Sequence, residues 1–124
     1  MFQKSKRYRS DKYLKWVASK PCILCYYDCC QAHHITIAEP KAMGMKVSDY
    51  YTVPLCYTHH HQLHVTGEAK FWTKIGINPK FYALLLYCIY NSDYKEDDRY
   101  LWNTVHKKVL HKVQKHLDFL LHLK

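Results

Sequence analysis

The stretch TVPLCYTHHHQLH, residues 52–64, decides how this chain is built. Thr52 to Leu55 reads as a short strand interrupted by Pro54. Thr58 to Val65 reads as a helix, because a helix places His60 and His64 one turn apart on one face, and Gly67 closes it. At the junction, Cys56-Tyr-Thr-His59 forms an x2 pair, and Cys22-Ile-Leu-Cys25 supplies another across 30 intervening residues. Thiolate and imidazole are the preferred ligands of tetrahedral zinc, and x2 spacing lets one turn supply two of them. Cys22, Cys25, Cys56 and His59 are therefore read as a structural Zn2+ knuckle, with His60 as an alternative fourth ligand to His59. A structural metal would also explain how so short a segment folds on few core residues. Cys29, Cys30 and Cys88 are left over and read as small buried hydrophobes.

Outward from that stretch, Asp11 to Ser19 has Leu14 and Val17, with Tyr13 and Trp16, at helical spacing, and Lys20-Pro21 stops it. Pro21 to Cys25 reads as a tight knuckle and Gln31 to Ile37 as a strand rich in β-branched residues. Residues 38–49, with Pro40 and Gly44, read as a surface loop. Asn78 as N-cap and Pro79 at the first helical position open a hydrophobic helix to Tyr90. Asn91 to Asp98 is an acidic turn. Residues 98–122 read as a long amphipathic helix with Leu101, Trp102, Val105, Val109, Val113, Leu117 and Leu120 in one stripe. That stripe packs on the Phe81–Tyr90 helix, or alternatively the helix pairs with a second copy as a homodimer or lays its Lys/His face on DNA.

A second histidine group lies apart from the knuckle. His33 and His34 fall in the first strand, and His60 and His64 in the helix. Strand, loop, strand and helix bring His33, His60 and His64 toward one point, which suits a catalytic metal with open positions; a purely structural second metal is the alternative. By alternation His34 points to the opposite side of its strand. One histidine alone is most often a satisfied polar residue, but six within 32 positions are hard to read that way.

Composition bounds the rest. With 124 residues the chain is one domain with an appended helix, divided here as a basic segment 1–20, a core 21–79 and a helical extension 80–124. The net charge of +9 is split as +6 over residues 1–20, −2 over 21–98 and +5 over 99–124. Clusters of this kind attract phosphate backbones, so nucleic acid is the leading partner class, with Lys4, Lys6, Arg7, Arg9, Lys46, Lys107, Lys108 and Lys112 as candidate contacts. Lys-rich ends that only solvate the protein are an equally weighted reading of charge alone. The longest apolar run, Phe81 to Tyr90, is 10 residues, about half of a bilayer span, so no membrane role is expected. No secretory signal is read at the N-terminus, and disulfides are not expected in a reducing cytosol, so a soluble, cytoplasmic location is expected.

The residues from Pro21 to Pro79 resemble an HNH endonuclease of the ββα-metal class, most like the small phage and prophage Ref-type recombination-enhancement nucleases. The resemblance rests on Pro21-Cys22-x2-Cys25, Ala32-His33-His34-Ile35 and Gly44-Met45-Lys46-Val47-Ser48-Asp49-Tyr50. It continues through Val53-Pro54-Leu55-Cys56-x2-His59-His60-His61-Gln62-Leu63-His64, Gly67-Glu68 and Phe71-Trp72-x3-Gly76-Ile77-Asn78-Pro79. It implies an α+β fold: a small ββα-metal core with a structural zinc knuckle, an N-terminal short helix and two C-terminal helices. It implies His34 as the general base that activates water, and His33, His60 and His64 as ligands of one catalytic divalent metal. Tyr51 stands where the family has Asn, a departure that touches the loop more than the chemistry, and Asp49 or Ser48 could take its place. The family pattern also more often has Cys-x2-Cys where this chain has Cys56-x2-His59.

Together these readings predict a bacterial or phage-encoded DNA endonuclease of low sequence specificity acting on double- or single-stranded DNA. His34, with an unperturbed pKa of about 6.5, could accept a proton from water at neutral pH. Three imidazoles suit Zn2+, Ni2+ or Mn2+, while the resemblance implies Mg2+ or Mn2+, so the metal stays open. The alternatives are a catalytically inactive zinc-dependent nucleic-acid-binding module and a protein-binding adaptor using the C-terminal helix.

Overall fold

A computed structural model describes residues 7–39 and 46–92, together with the helical residues 103, 104 and 107. The chain forms helix α1 (Asp11–Ala18), strands β1 (Cys30–His34) and β2 (Thr52–Cys56), and helices α2 (Tyr57–Thr66), α3 (Glu68–Ile75) and α4 (Pro79–Tyr90). Among the described residues it is a small α+β fold, with these four helices packed around one two-stranded sheet. Among the described residues no helix is long and apolar enough to cross a membrane.

Helix α1 begins where the Ser10 side chain accepts from the Tyr13 amide, satisfying one of the orphan donors of the first turn. It buries Tyr13 and Val17 against the sheet. Strands β1 and β2 are antiparallel, with Cys30 opposite Cys56, Ala32 opposite Pro54 and His34 opposite Thr52. Every residue of β2 is buried, which is why it reads Thr-Val-Pro-Leu-Cys rather than alternating. Pro54 cannot donate to a ladder, but its carbonyl accepts from Ile23, tying the knuckle to the sheet.

Helix α2 starts directly at the end of β2, so Cys56 is both the last strand residue and the N-cap. Gly67 ends it at φ 98°, ψ 139° and reverses the chain into α3, which buries Phe71, Trp72 and Ile75. A Cβ at Gly67 would meet nothing within 4 Å, so the need for glycine there is conformational and not steric. Gly67→Ala is therefore expected to cost about 1–3 kcal/mol through backbone strain, read from the urea midpoint. A midpoint equal to wild type would contradict that origin. Asn78 caps α4 through the Lys80 amide, with Pro79 following, as the sequence predicts.

Tyrosine is abundant for a structural reason. Tyr8, Tyr13, Trp16, Tyr50, Tyr87 and Tyr90 stack edge and face at centroid distances of 4.9–6.4 Å where α1 meets α4. The main core gathers around Ile23, Ile35, Val53, Leu55, Leu63, Trp72 and Leu86, with Trp16 of the aromatic cluster packed against it.

Several expectations are corrected. The first strand covers Cys30–His34 and not Gln31 to Ile37. Thr36 turns its amide and hydroxyl to the Glu68 carboxylate, and Ile37 is 57% exposed. Helix α3, unread in the sequence, occupies the span between Gly67 and Gly76. Val47, Ser48 and Asp49 are buried, so the end of the expected surface loop is interior. Cys29 and Cys88 are exposed and Cys30 half-buried, against their reading as buried hydrophobes. The amphipathic helix expected over 98–122, the homodimer contact read from it, and residues 40–45 of the loop lie outside the described residues, apart from helical 103, 104 and 107.

Candidate metal centre and histidine site

Cys22 and Cys25 flank a tight turn in which the Tyr26 amide donates to the Cys22 carbonyl at 2.9 Å, with Tyr26 at φ 65°. The Leu24 amide points at Cys22 Sγ, 3.4 Å away, a donor arranged for a thiolate. Cys56 arrives on β2 and His59 on the first turn of α2. The resulting contacts are Cys22 Sγ to His59 Nδ1 at 3.7 Å, Cys25 Sγ to Cys56 Sγ at 3.6 Å, and Cys56 Sγ to His59 Nδ1 at 3.1 Å. All four ligand atoms lie within 4.8 Å of one another. Tetrahedral zinc with Zn–S near 2.3 Å separates its sulfurs by about 3.7 Å, so the donor set and spacing fit such an ion. His59, not His60, completes the set. The neighbouring Cys30 thiol, with the His59 ring and the Leu24 amide, holds the pKa of Cys22 well below the usual thiol range against burial, and burial raises that of Cys25 to about 12. Cys30, opposite Cys56 in the sheet, thus stands beside the ligands without being one of the four.

The second group forms at the far end of the same ribbon. His33 leaves β1 toward α2, where its ring centroid lies 5.1 Å from His60 and 6.2 Å from His64. His60 and His64 face each other with Nε2 atoms 3.1 Å apart. Two nitrogens about 3.0–3.4 Å apart is the separation expected for adjacent ligands on one ion. His33 does not complete a matching triad: its Nε2 is turned to the Glu68 carboxylate, 3.0 and 3.1 Å from the two oxygens. Among the described residues only the knuckle gathers three or more ligand atoms within 4.8 Å.

His34 lies on the other side of β1, as alternation requires, with Nε2 donating to Asp49 Oδ1 at 2.8 Å. Asp49 is 3% exposed and also accepts from the Ser10 amide at 2.7 Å and Arg9 at 3.3 Å. Arg9 further donates to the Lys46 and Val47 carbonyls, and Arg7 pairs with Glu39. Both arginines named as nucleic-acid contacts therefore have partners within the chain. Lys46 and Lys107 are exposed, while Lys4, Lys6, Lys108 and Lys112 lie outside the described residues. Tyr51 takes no part in orienting His34; its carbonyl accepts from Ile35, and Lys80 sits 5.3 Å over its ring.

Burial lowers His60 below the usual histidine value, helped by the neighbouring His33 and His64 and opposed by Glu68. The folded state thus prefers neutral His60, while the unfolded chain takes up a proton first as pH falls through 6.5. Stability from this group is present above that value and lost below it. The urea midpoint of zinc-saturated protein is expected to fall from about pH 7.5 to 5.5, and to fall less in His60→Ala. An identical decline in the variant would remove His60 as the cause. Burial alone would raise Glu68, but hydrogen bonds and charge from His33, with Thr36 and Trp72, outweigh it and hold the carboxyl below its ordinary range.

Comparison with known proteins adds a family. The profile described as "Protein of unknown function (DUF968)" matches residues 2–91. The chain belongs to the DUF968 family. The matched region of this DUF968 chain takes in both the knuckle and the histidine group. The "Uncharacterized protein YdfU" of Escherichia coli (strain K12) is 36% identical over 73 residues, 59% of this chain and 21% of YdfU. The chain thus spans about a fifth of the length of that relative. No solved structure matches it significantly. In this DUF968 member the sequence alone assigns no role to Glu68 and offers Asp49 only as a stand-in for Asn. A glutamate four positions after His64 was a signal, obscured because Gly67 interrupts the helix between them.

Proposed function

We propose that the chain is a metal-dependent DNA endonuclease of the HNH type, hydrolysing phosphodiester bonds with low sequence specificity. The observation that carries this is the arrangement along β1: His33 faces His60 and His64, while the adjacent His34 is held by a buried aspartate. A binding module has a use for the knuckle but none for this pairing. The order β1, β2, α2 over a Cys3His cluster supports the ββα-metal reading.

His34 is the proposed general base. Asp49, surrounded by the Ser10 amide, Arg9 and His34, offers only acceptor oxygens, so the His34 proton resides on Nε2 and the lone pair on Nδ1. Nδ1 then takes the proton of the attacking water, and Asp49 steadies the imidazolium that results. Asp49 also stands in for the family's loop-fixing Asn, tying its loop to the N-terminal segment through the Ser10 amide and Arg9. His33, His60 and His64 would hold a divalent ion, Mg2+, Mn2+, Ni2+ or Zn2+, whose charge stabilises the phosphate and the departing oxygen. The lysine-rich ends, with Arg7 and Arg9 set aside because they are paired within the chain, would supply the non-specific attraction to DNA.

The test is supercoiled plasmid incubated with zinc-loaded protein in each of those four metals. Relaxed and linear products are expected in at least one. Plasmid retained without cleavage in all four would instead establish the catalytically inactive zinc-dependent nucleic-acid-binding module, a reading that draws on His33 being turned to Glu68.

A further inference from the structure

We infer that Glu68 is a positioning residue that fixes the tautomer of His33 and so sets the affinity of the imidazole site for its ion. The inference rests on the proposed reading of His33, His60 and His64 as metal ligands. Glu68 is the first residue of α3, directly after Gly67 at φ 98°, and its carboxylate meets His33 near the end of β1. Its side chain is only 9% exposed. Oε1 accepts from the Thr36 amide at 2.9 Å and the Thr36 hydroxyl at 3.0 Å, and Oε2 from Trp72 Nε1 at 2.6 Å. His33 Nε2 lies across both oxygens.

The assignment follows from counting donors. A backbone amide and an indole N–H can only donate, so each carboxylate oxygen is already committed as an acceptor. His33 Nε2 must then carry the hydrogen, and a neutral imidazole has its lone pair on Nδ1 alone. The nitrogen that His33 offers a metal is thus chosen before any ion arrives. Glutamine is no substitute: its amide NH2 would face either the Thr36 amide or the Trp72 indole, donor against donor. A carboxylate holding the far nitrogen of a ligating histidine typically changes metal affinity by about 10–100-fold.

Two measurements test this. In zinc-saturated wild type at about pH 8, where histidine is neutral, a long-range 1H–15N correlation reads each tautomer directly. His33 is expected as the Nε2–H form, and an Nδ1–H pattern overturns the inference. Second, zinc-loaded protein is titrated with Co2+, followed by its visible absorption. Wild type is expected to take up one Co2+ beyond the knuckle, and Glu68→Ala and Glu68→Gln to bind it about 10–100-fold more weakly with knuckle zinc unchanged. Trp72→Phe removes one donor but leaves the carboxylate on His33, so its Co2+ affinity is expected within about twofold of wild type. Glu68 variants that bind Co2+ like wild type overturn the role of Glu68 and leave the nuclease reading standing. No second ion in wild type removes the imidazole site itself. Should the Glu68 variants fail to fold, the tautomer in wild type decides alone.

Discussion

Stripping the metal from the Cys22, Cys25, Cys56 and His59 site is expected to unfold the core outright. Structural zinc contributes on the order of 10–16 kcal/mol to small zinc domains, comparable to or larger than the net stability of about 5–15 kcal/mol of a whole domain. The local architecture magnifies the effect. Cys22 is fully buried and Cys56 nearly so, and without an ion two buried sulfurs, the Cys25 sulfur and the His59 ring are crowded together, with the Leu24 amide on Cys22 Sγ to offset it. The knuckle also anchors Ile23 to Pro54 and thereby one edge of the sheet. Metal analysis is expected to give one zinc per chain, and excess chelator to abolish the helical circular dichroism and the cooperative thermal transition. Cys56→Ala should express as unfolded protein, while Cys30→Ala, beside the ligands but outside the four, should keep its zinc. Chelated, metal-free protein with an unchanged melting temperature would show that the cluster holds no structural ion.

The second large effect concerns chemistry and not folding. On the proposed mechanism His34→Ala loses plasmid nicking by about 10²–10⁴-fold, the usual contribution of a general base. His34 is only half-buried and, among the described residues, its ring bonds Asp49, so its removal leaves the knuckle, the ribbon and the His60–His64 pair in place. Zinc content and melting temperature should therefore match wild type closely while products vanish. Nicking that survives in a zinc-replete His34→Ala preparation, free of wild-type carry-over, would exclude His34 as the base. Comparing the two proteins over Mg2+, Mn2+, Ni2+ and Zn2+ also identifies the working ion, because only metal-dependent nicking should respond to the substitution.

What the sequence revealed and what it hid divide along a physical line. The four knuckle residues were legible because x2 spacing is a local property: a single turn makes both ligands of each pair. The facing of His60 and His64 followed from helical period, and the split between His33 and His34 from strand alternation. Asn78 and Pro79 marked α4 for the same local reasons. The rest depends on contacts between distant segments. Thr36 and Ile37 have strand-forming side chains, yet the strand stops at His34 because a carboxylate 32 residues later captures the Thr36 amide. Helix α3 is eight residues between two glycines, too short for its period to stand out. Arg7 and Arg9 looked like free positive charge, but Glu39, Asp49 and the carbonyls of Lys46 and Val47 engage them, and none of these is close in sequence.

The five-residue ribbon has one more consequence. Sliding β1 by a single position against β2 would exchange its two faces, sending His34 toward Glu68 and His33 toward Asp49. So short a ladder has few rungs with which to resist that slip. Cys56, the end rung opposite Cys30, shares its ion with Cys25, five residues before Cys30 in the chain, so the knuckle limits how far β1 can slide along β2. The ion that holds the protein together would thus also decide which of two neighbouring, chemically identical side chains meets which acid.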